Sequence, residues 1–185
     1  MQILIWTTAL SKLSALSSGM RILGIDPGTA VTGYGVIETS GSYDYHCLSY
    51  GTIRSKANQE LPPRLKKIYD GIADVIDQFQ PEHVALEDVF HGRNIQTALK
   101  LGQARGAAII AAINAEKIVD TYSAREVKMS LTGYGAASKE QVQRMVGDIL
   151  KLKAPITPLD ASDALAIALC HAQRWWVAQK MKNSR

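Results

Sequence analysis

Arg21-Ile22-Leu23-Gly24-Ile25-Asp26-Pro27-Gly28 is the stretch that decides how the rest of the chain is read. A short apolar run ends in an acid and is broken by Pro-Gly, which predicts a buried strand delivering a carboxylate to a loop. Downstream, residues 32–38 and 45–54 read as two more strands separated by Ser40-Gly41-Ser42, together an antiparallel meander. Apolar positions 65, 68, 69, 72, 76 and 79 keep helical spacing until Pro81 stops the helix. Residues 83–87 form a second buried strand that also ends in an acid, Glu87. Helix-spaced residues fill 95–114, where Gly102 and Gly106 predict that a neighbouring backbone packs close. A strand is expected over 117–121, and Ser123-x-x-Glu126 and Ser138-x-x-Gln141 are capping boxes that open helices. A last helix is predicted from about Asp160 through Trp175. Three strands followed by alternating helices and strands give a mixed α/β sheet with helices on its faces.

The composition bounds what such a fold does. The chain has 185 residues with 46% apolar and 21% charged, the profile of one ordinary domain. No run approaches the roughly 18 apolar residues of a spanning helix, so a membrane role is not expected and a cytoplasmic one is. Residues 20–90 carry six bases against ten acids, whereas 91–153 carry ten against five. That asymmetry fits cations held in one place and a polyanion in another, and it equally fits solvated helix faces. Two cysteines, Cys47 and Cys170, form no C-x-x-C pair. A zinc site built from His46-Cys47 and Cys170-His171 is conceivable, but buried thiols in a reducing compartment are the better reading. Residues 1–19 are expected to be an N-terminal extension, disordered or arising from a misassigned start, before a folded body over 20–178 and a flexible basic tail over 179–185.

The acids carry the chemistry. Asp26 and Glu87 end apolar strands, and an ionised acid beside a low-dielectric core needs a partner. Asp160 and Asp163, spaced i, i+3, share one face of a helix that is otherwise apolar. Each alone has a plain structural reading: Asp160 as a helix N-cap, Asp163 as a dipole partner, Asp26 as a turn residue, Glu87 and Asp88 as surface acids. Four oxygen donors converging suit hard divalent cations such as Mg²⁺. A pair of such ions supports in-line hydrolysis of a phosphodiester.

These residues resemble a known family. Gly24-Ile25-Asp26-Pro27-Gly28-Thr29 and Thr32-Gly33-Tyr34-Gly35 look like the opening of the RuvC-type Holliday-junction resolvases, crossover junction endodeoxyribonucleases of the RNase H-like fold. The likeness continues through Phe79-Gln80-Pro81, Glu87 to Phe90, Ala98 to Gly106, Val127-Lys128 and Asp160 to Ala168. It implies an RNase H-like mixed five-stranded sheet with helices on both faces. It also implies a tetrad of Asp26, Glu87, Asp160 and Asp163 that holds two Mg²⁺ ions, with Mn²⁺ able to substitute. Asp26 is expected to contact both ions. By the same resemblance Lys128 and Lys139 lie near the scissile phosphate, and Phe90 helps to open the junction, beside Arg93 and Asn94. Lys100 and Arg105 complete the expected DNA contacts. The implied activity is symmetric paired nicking of four-way DNA junctions in recombinational repair. A homodimer would match the two-fold substrate, and a branch-migration helicase complex is the implied partner. Asp88 departs from the family pattern, and on the strand after Glu87 it is expected to face away from the metals.

Two rivals come from other classes. Gly24 to Thr29 also resembles the phosphate loop of actin-like ATPases, but a second such loop is not found in the chain. A junction-binding protein without catalysis is opposed by the complete tetrad.

Overall fold

The structure is a computed structural model that describes residues 19–56, 58–88 and 95–183. Strands β1 (Met20–Asp26), β2 (Val31–Gly41) and β3 (Asp44–Arg54) lead into helix α1 (Leu61–Phe79), followed by β4 (His83–Glu87), α2 (Ile95–Asn114) and β5 (Ile118–Tyr122). Three helices close the chain: α3 (Ala124–Thr132), α4 (Lys139–Ile149) and α5 (Leu159–Asn183). The five strands form one sheet in the order β3-β2-β1-β4-β5. The first three pair antiparallel as the meander requires, while β4 and β5 join in parallel after helical crossovers.

Alternation along the strands sorts the core into two layers. Leu23, Ile25, Val36, Val84 and Leu86 face α1 and α2. Ile22, Ile37, Ala85 and Tyr122 face the helices that follow β5. Through the middle of this second layer runs α5, whose residues 164–172 are all buried. It comes unusually close to the sheet because the sequence places small residues where they meet: a Cβ on Gly24 would overlap the backbone of Ala164 and crowd Ala168, and one on Gly35 would strike Leu165.

Several boundaries differ from the sequence expectation. Helix α1 begins at Leu61, before the first periodic apolar residue, because Pro62 and Pro63 fit its first turn. Helix α5 runs past Trp175 to Asn183, so most of the stretch expected to be a flexible tail is helical. Trp176 explains part of the extension, since its indole Nε1 donates to Thr39 Oγ1 at 3.1 Å and ties the helix to β2. A Cβ built on Gly102 or Gly106 would meet nothing within 4 Å, so among the described residues the close packing expected there is absent. Ala104, Ala108, Ala111 and Ala112 form the buried face of α2 instead. Both capping boxes are present: Ser123 and Ser138 accept from the backbone of Glu126 and Gln141, whose side chains bond back. Among the described residues no helix is long and apolar enough to cross a membrane.

Candidate active site

The parallel pairing of β1 with β4 aligns Ile25 with Leu86, so the next residues, Asp26 and Glu87, finish neighbouring strands side by side. Both point to the α5 face, by alternation from Ile22, Gly24 and Ala85. Asp26 also pairs across β2 with Gly33, and a Cβ on Gly33 would collide with the Asp160 carbonyl. The first turn of α5 therefore sits directly over the strand ends and brings Asp160 and Asp163 to the same place. The loop after Asp26 is held by Thr32, whose buried hydroxyl donates to the Gly28 carbonyl at 2.8 Å and accepts from Gly28 N at 3.3 Å.

The electrostatics record this convergence. Burial, then Glu87, Asp163 and Asp160 in that order, push the Asp26 carboxyl from its ordinary 3.8 up to about 7, with Lys139 opposing. Burial and then Asp163 raise Glu87 as well, while a hydrogen bond with Asp26 and the charges of Lys139 and Lys128 pull it back. Lys139, the first residue of α4, places Nζ 3.2 Å from Asp163 Oδ2, and that contact raises the lysine. A half-buried carboxylate cluster with this little compensation is a site built to receive positive charge.

The cleft beside these acids is lined by Glu87, Asp163, Lys128 and Lys139, with Val127, Val142 and Ile167 as its apolar floor. Ala124 and Lys139 bring the N-terminal ends of α3 and α4 to its rim. Helix N-termini carry partial positive charge, so the rim favours an anion while the carboxylates favour cations.

The structure brings together Asp26, Glu87, Asp160, Asp163, Lys128 and Lys139 from the sequence expectation. Lys100 is exposed on α2, away from the cleft lining. Arg105 lies partly covered with Nη2 3.6 Å from Asp88 Oδ1. Asp88, one residue past the end of β4, thus reaches toward α2. Phe90, Arg93 and Asn94, with His91, fall outside the described residues. The zinc arrangement through Cys47 and Cys170 is not formed among the described residues: both thiols are free and pushed up to about 11, chiefly by burial. Sequence reasoning missed the role of Gly33, whose missing side chain seats Asp160; its only signal was that glycines recur on β2 at alternate positions.

Comparison with known proteins fits this geometry. The sequence model of the family described as crossover junction endodeoxyribonuclease RuvC matches residues 22–171. The crossover junction endodeoxyribonuclease RuvC of Photobacterium profundum is 55% identical over 152 residues, covering 82% of this chain and 86% of that protein. The protein of the same name from Geobacter sulfurreducens is 51% identical over 153 residues, covering 83% and 92%. Among solved structures, T. thermophilus RuvC in complex with Holliday junction substrate superposes with a TM-score of 0.82 at 36% identity, covering 86% of this chain and 96% of that one. The matched span begins inside β1 and ends inside α5, so it encloses all four converging acids, and by that extent and identity the chain belongs to the RuvC family of crossover junction endodeoxyribonucleases.

Proposed function

We propose that this protein resolves four-way DNA junctions by symmetric paired nicking, as a Mg²⁺-dependent homodimeric endonuclease of recombination and repair acting in the cytoplasm. The observation that carries the reading is the Asp26 carboxyl, raised to about 7 inside a cluster with Glu87, Asp160 and Asp163. The donor set fits a hard divalent ion, being all oxygen and short of compensating charge. Asp26, central among the four, would touch both of two ions, with Glu87, Asp160 and Asp163 completing the set. Bound there, such ions supply an activated water and neutralise charge at the scissile phosphate.

The chain's own residues do the rest. Lys128 and Lys139 hold the phosphate at the cleft rim, where the N-termini of α3 and α4 add their dipoles. Phe90 stacks on an unpaired base, with Arg93 and Asn94 beside it on the backbone. Lys100 and Arg105 extend the basic track. The dimer is supported by α2, where Leu99, Gly102, Gly106, Ile110 and Ile113 recur at helical spacing; Leu99, Ile110 and Ile113 are more than half exposed, and among the described residues a Cβ on either glycine would meet nothing within 4 Å. A two-fold junction needs two such sites facing one another. A branch-migration helicase complex would deliver the substrate.

The test is cleavage of synthetic four-way junctions, linear duplex and RNA-DNA hybrid by the purified protein with and without Mg²⁺, beside Asp26→Asn. Paired nicks confined to junctions, needing Mg²⁺ and lost in Asp26→Asn with junction binding kept, are expected. Equal cutting of linear duplex, or nicking by Asp26→Asn, contradicts the reading.

A further inference from the structure

The face of the sheet that holds the acids carries a second polar cluster at its other end. His83 opens β4, Asp120 lies on β5 opposite Ala85, and both share the side that α5 covers. From α5, His171 descends onto them, with its ring centroid 4.9 Å from that of His83. Among the described residues, these three form the group of His, Cys, Asp and Glu side chains that meets ligand spacing, their donor atoms all within 4.8 Å of one another.

Two imidazole nitrogens here have no partner. His171 is 2% exposed and its Nε2 is buried without a hydrogen bond, as is Nδ1 of His83. His171 Nδ1 is engaged by the Tyr122 hydroxyl at 2.8 Å. If that nitrogen carries the proton and donates to the Tyr122 oxygen, the free Nε2 presents a lone pair, the arrangement of a metal-bound histidine steadied by an outer hydrogen bond. The Asp120 side chain is half-exposed at 46%, and its Oδ2 lies 3.8 Å from His171 Nδ1.

We propose that His83, Asp120 and His171 bind one transition-metal ion of the Zn²⁺ class, separate from the catalytic carboxylates. Two imidazoles with one carboxylate suit Zn²⁺, whereas Mg²⁺ prefers oxygen alone. Donor atoms about 3.3 Å apart are needed around a tetrahedral ion with ligands near 2.0 Å, so a modest contraction of the cluster completes it. The ion clips α5 to β4 and β5 at a point eight residues beyond Asp163, about 12 Å along the helix. The inference is independent of the substrate assigned above.

The experiment uses the full chain, stripped with chelator and held in excess Mg²⁺ so that the oxygen-rich site is saturated. Zn²⁺ is titrated by calorimetry, and Co²⁺ is followed by its visible absorption, intense in four- or five-coordinate sites and weak in octahedral ones. One equivalent of Zn²⁺ and an intense Co²⁺ spectrum are expected, both retained in Asp26→Asn. His83→Gln and Asp120→Asn, the latter at a half-exposed position that tolerates change, each weaken Zn²⁺ binding by roughly tenfold or more, with circular dichroism confirming the fold. No Zn²⁺ uptake in excess Mg²⁺, an octahedral Co²⁺ spectrum, or unchanged affinity in either of these two variants overturns the proposal.

Discussion

Gly33 lies against the backbone of Asp160, so close that a single methyl group on its Cα would overlap the Asp160 carbonyl oxygen. The obstacle is main chain at the start of α5 and has no rotamer to escape into. Gly33→Ala must displace the helix start, which costs about 1–3 kcal/mol by overpacking. Because the displaced turn carries Asp160 and Asp163, cleavage is expected to fall about a hundredfold. Chemical denaturation and single-turnover cleavage measure the two effects; full activity in a folded Gly33→Ala protein contradicts this seating.

Asp26 makes the metal-free protein pH-sensitive. Its carboxyl is raised from 3.8 to about 7, so the folded state binds more protons than the unfolded one between those values. The group's stabilising contribution is complete below about 4 and is lost as pH climbs through 7. In chelator at pH 8, Asp26→Asn is expected to be more stable than the parent, on the order of 1–3 kcal/mol, with the difference vanishing near pH 4. Thermal melts across that range decide it, and a variant less stable at pH 8 rejects the buried-charge account.

Lys139 Nζ lies 3.2 Å from Asp163 Oδ2 and so competes with an incoming cation for that carboxylate. Lys139→Gln is expected to lower the Mg²⁺ concentration needed for half-maximal cleavage. At the same time the maximal rate drops by about tenfold or more, for want of a cation at the phosphate. A Mg²⁺ titration of junction cleavage separates the two; a weaker Mg²⁺ requirement with an unchanged maximum shows that the lysine only fills space.

Cys170 is fully buried, and its thiol, like that of Cys47, is held near 11. At pH 8 the reactive thiolate fraction is thus about a hundredfold below that of a thiol titrating near 9. Iodoacetamide should label both cysteines in denaturant and neither quickly in the native protein, with the native rate rising as pH approaches 11. Mass spectrometry after timed quenching checks this, and rapid native labelling of Cys170 refutes it.

The sheet and the acids were legible because their signals are local. An apolar run closed by Asp26-Pro27-Gly28, another closed by Glu87, and two capping boxes each report on a few neighbouring residues. The pairing of Asp26 with Glu87 followed once the strands were known. What stayed hidden depends on contacts distant in sequence. Nothing near Gly102 or Gly106 reveals that a Cβ there would touch none of the described residues while Ala104 and Ala108 take the buried side. Part of the extension of α5 comes from Trp176 reaching Thr39 across 137 positions, which no periodicity around Trp175 encodes. His83, Asp120 and His171 come from three separate elements, so no local spacing links them, whereas Cys170-His171 stands out only because the two are adjacent.

The single helix α5 bears Asp160 and Asp163 at one end and its tryptophan anchorage at the other, with alanine-lined contact to Gly24 between. Its axial seating consequently behaves like the setting of a vernier. A slip by one residue would carry both carboxylates some 1.5 Å along the axis and rotate them by about 100°, away from Asp26 and Glu87. The gauge of the reaction centre is therefore kept by remote fittings, and substitutions around Trp176 should alter turnover without touching any group that meets the DNA.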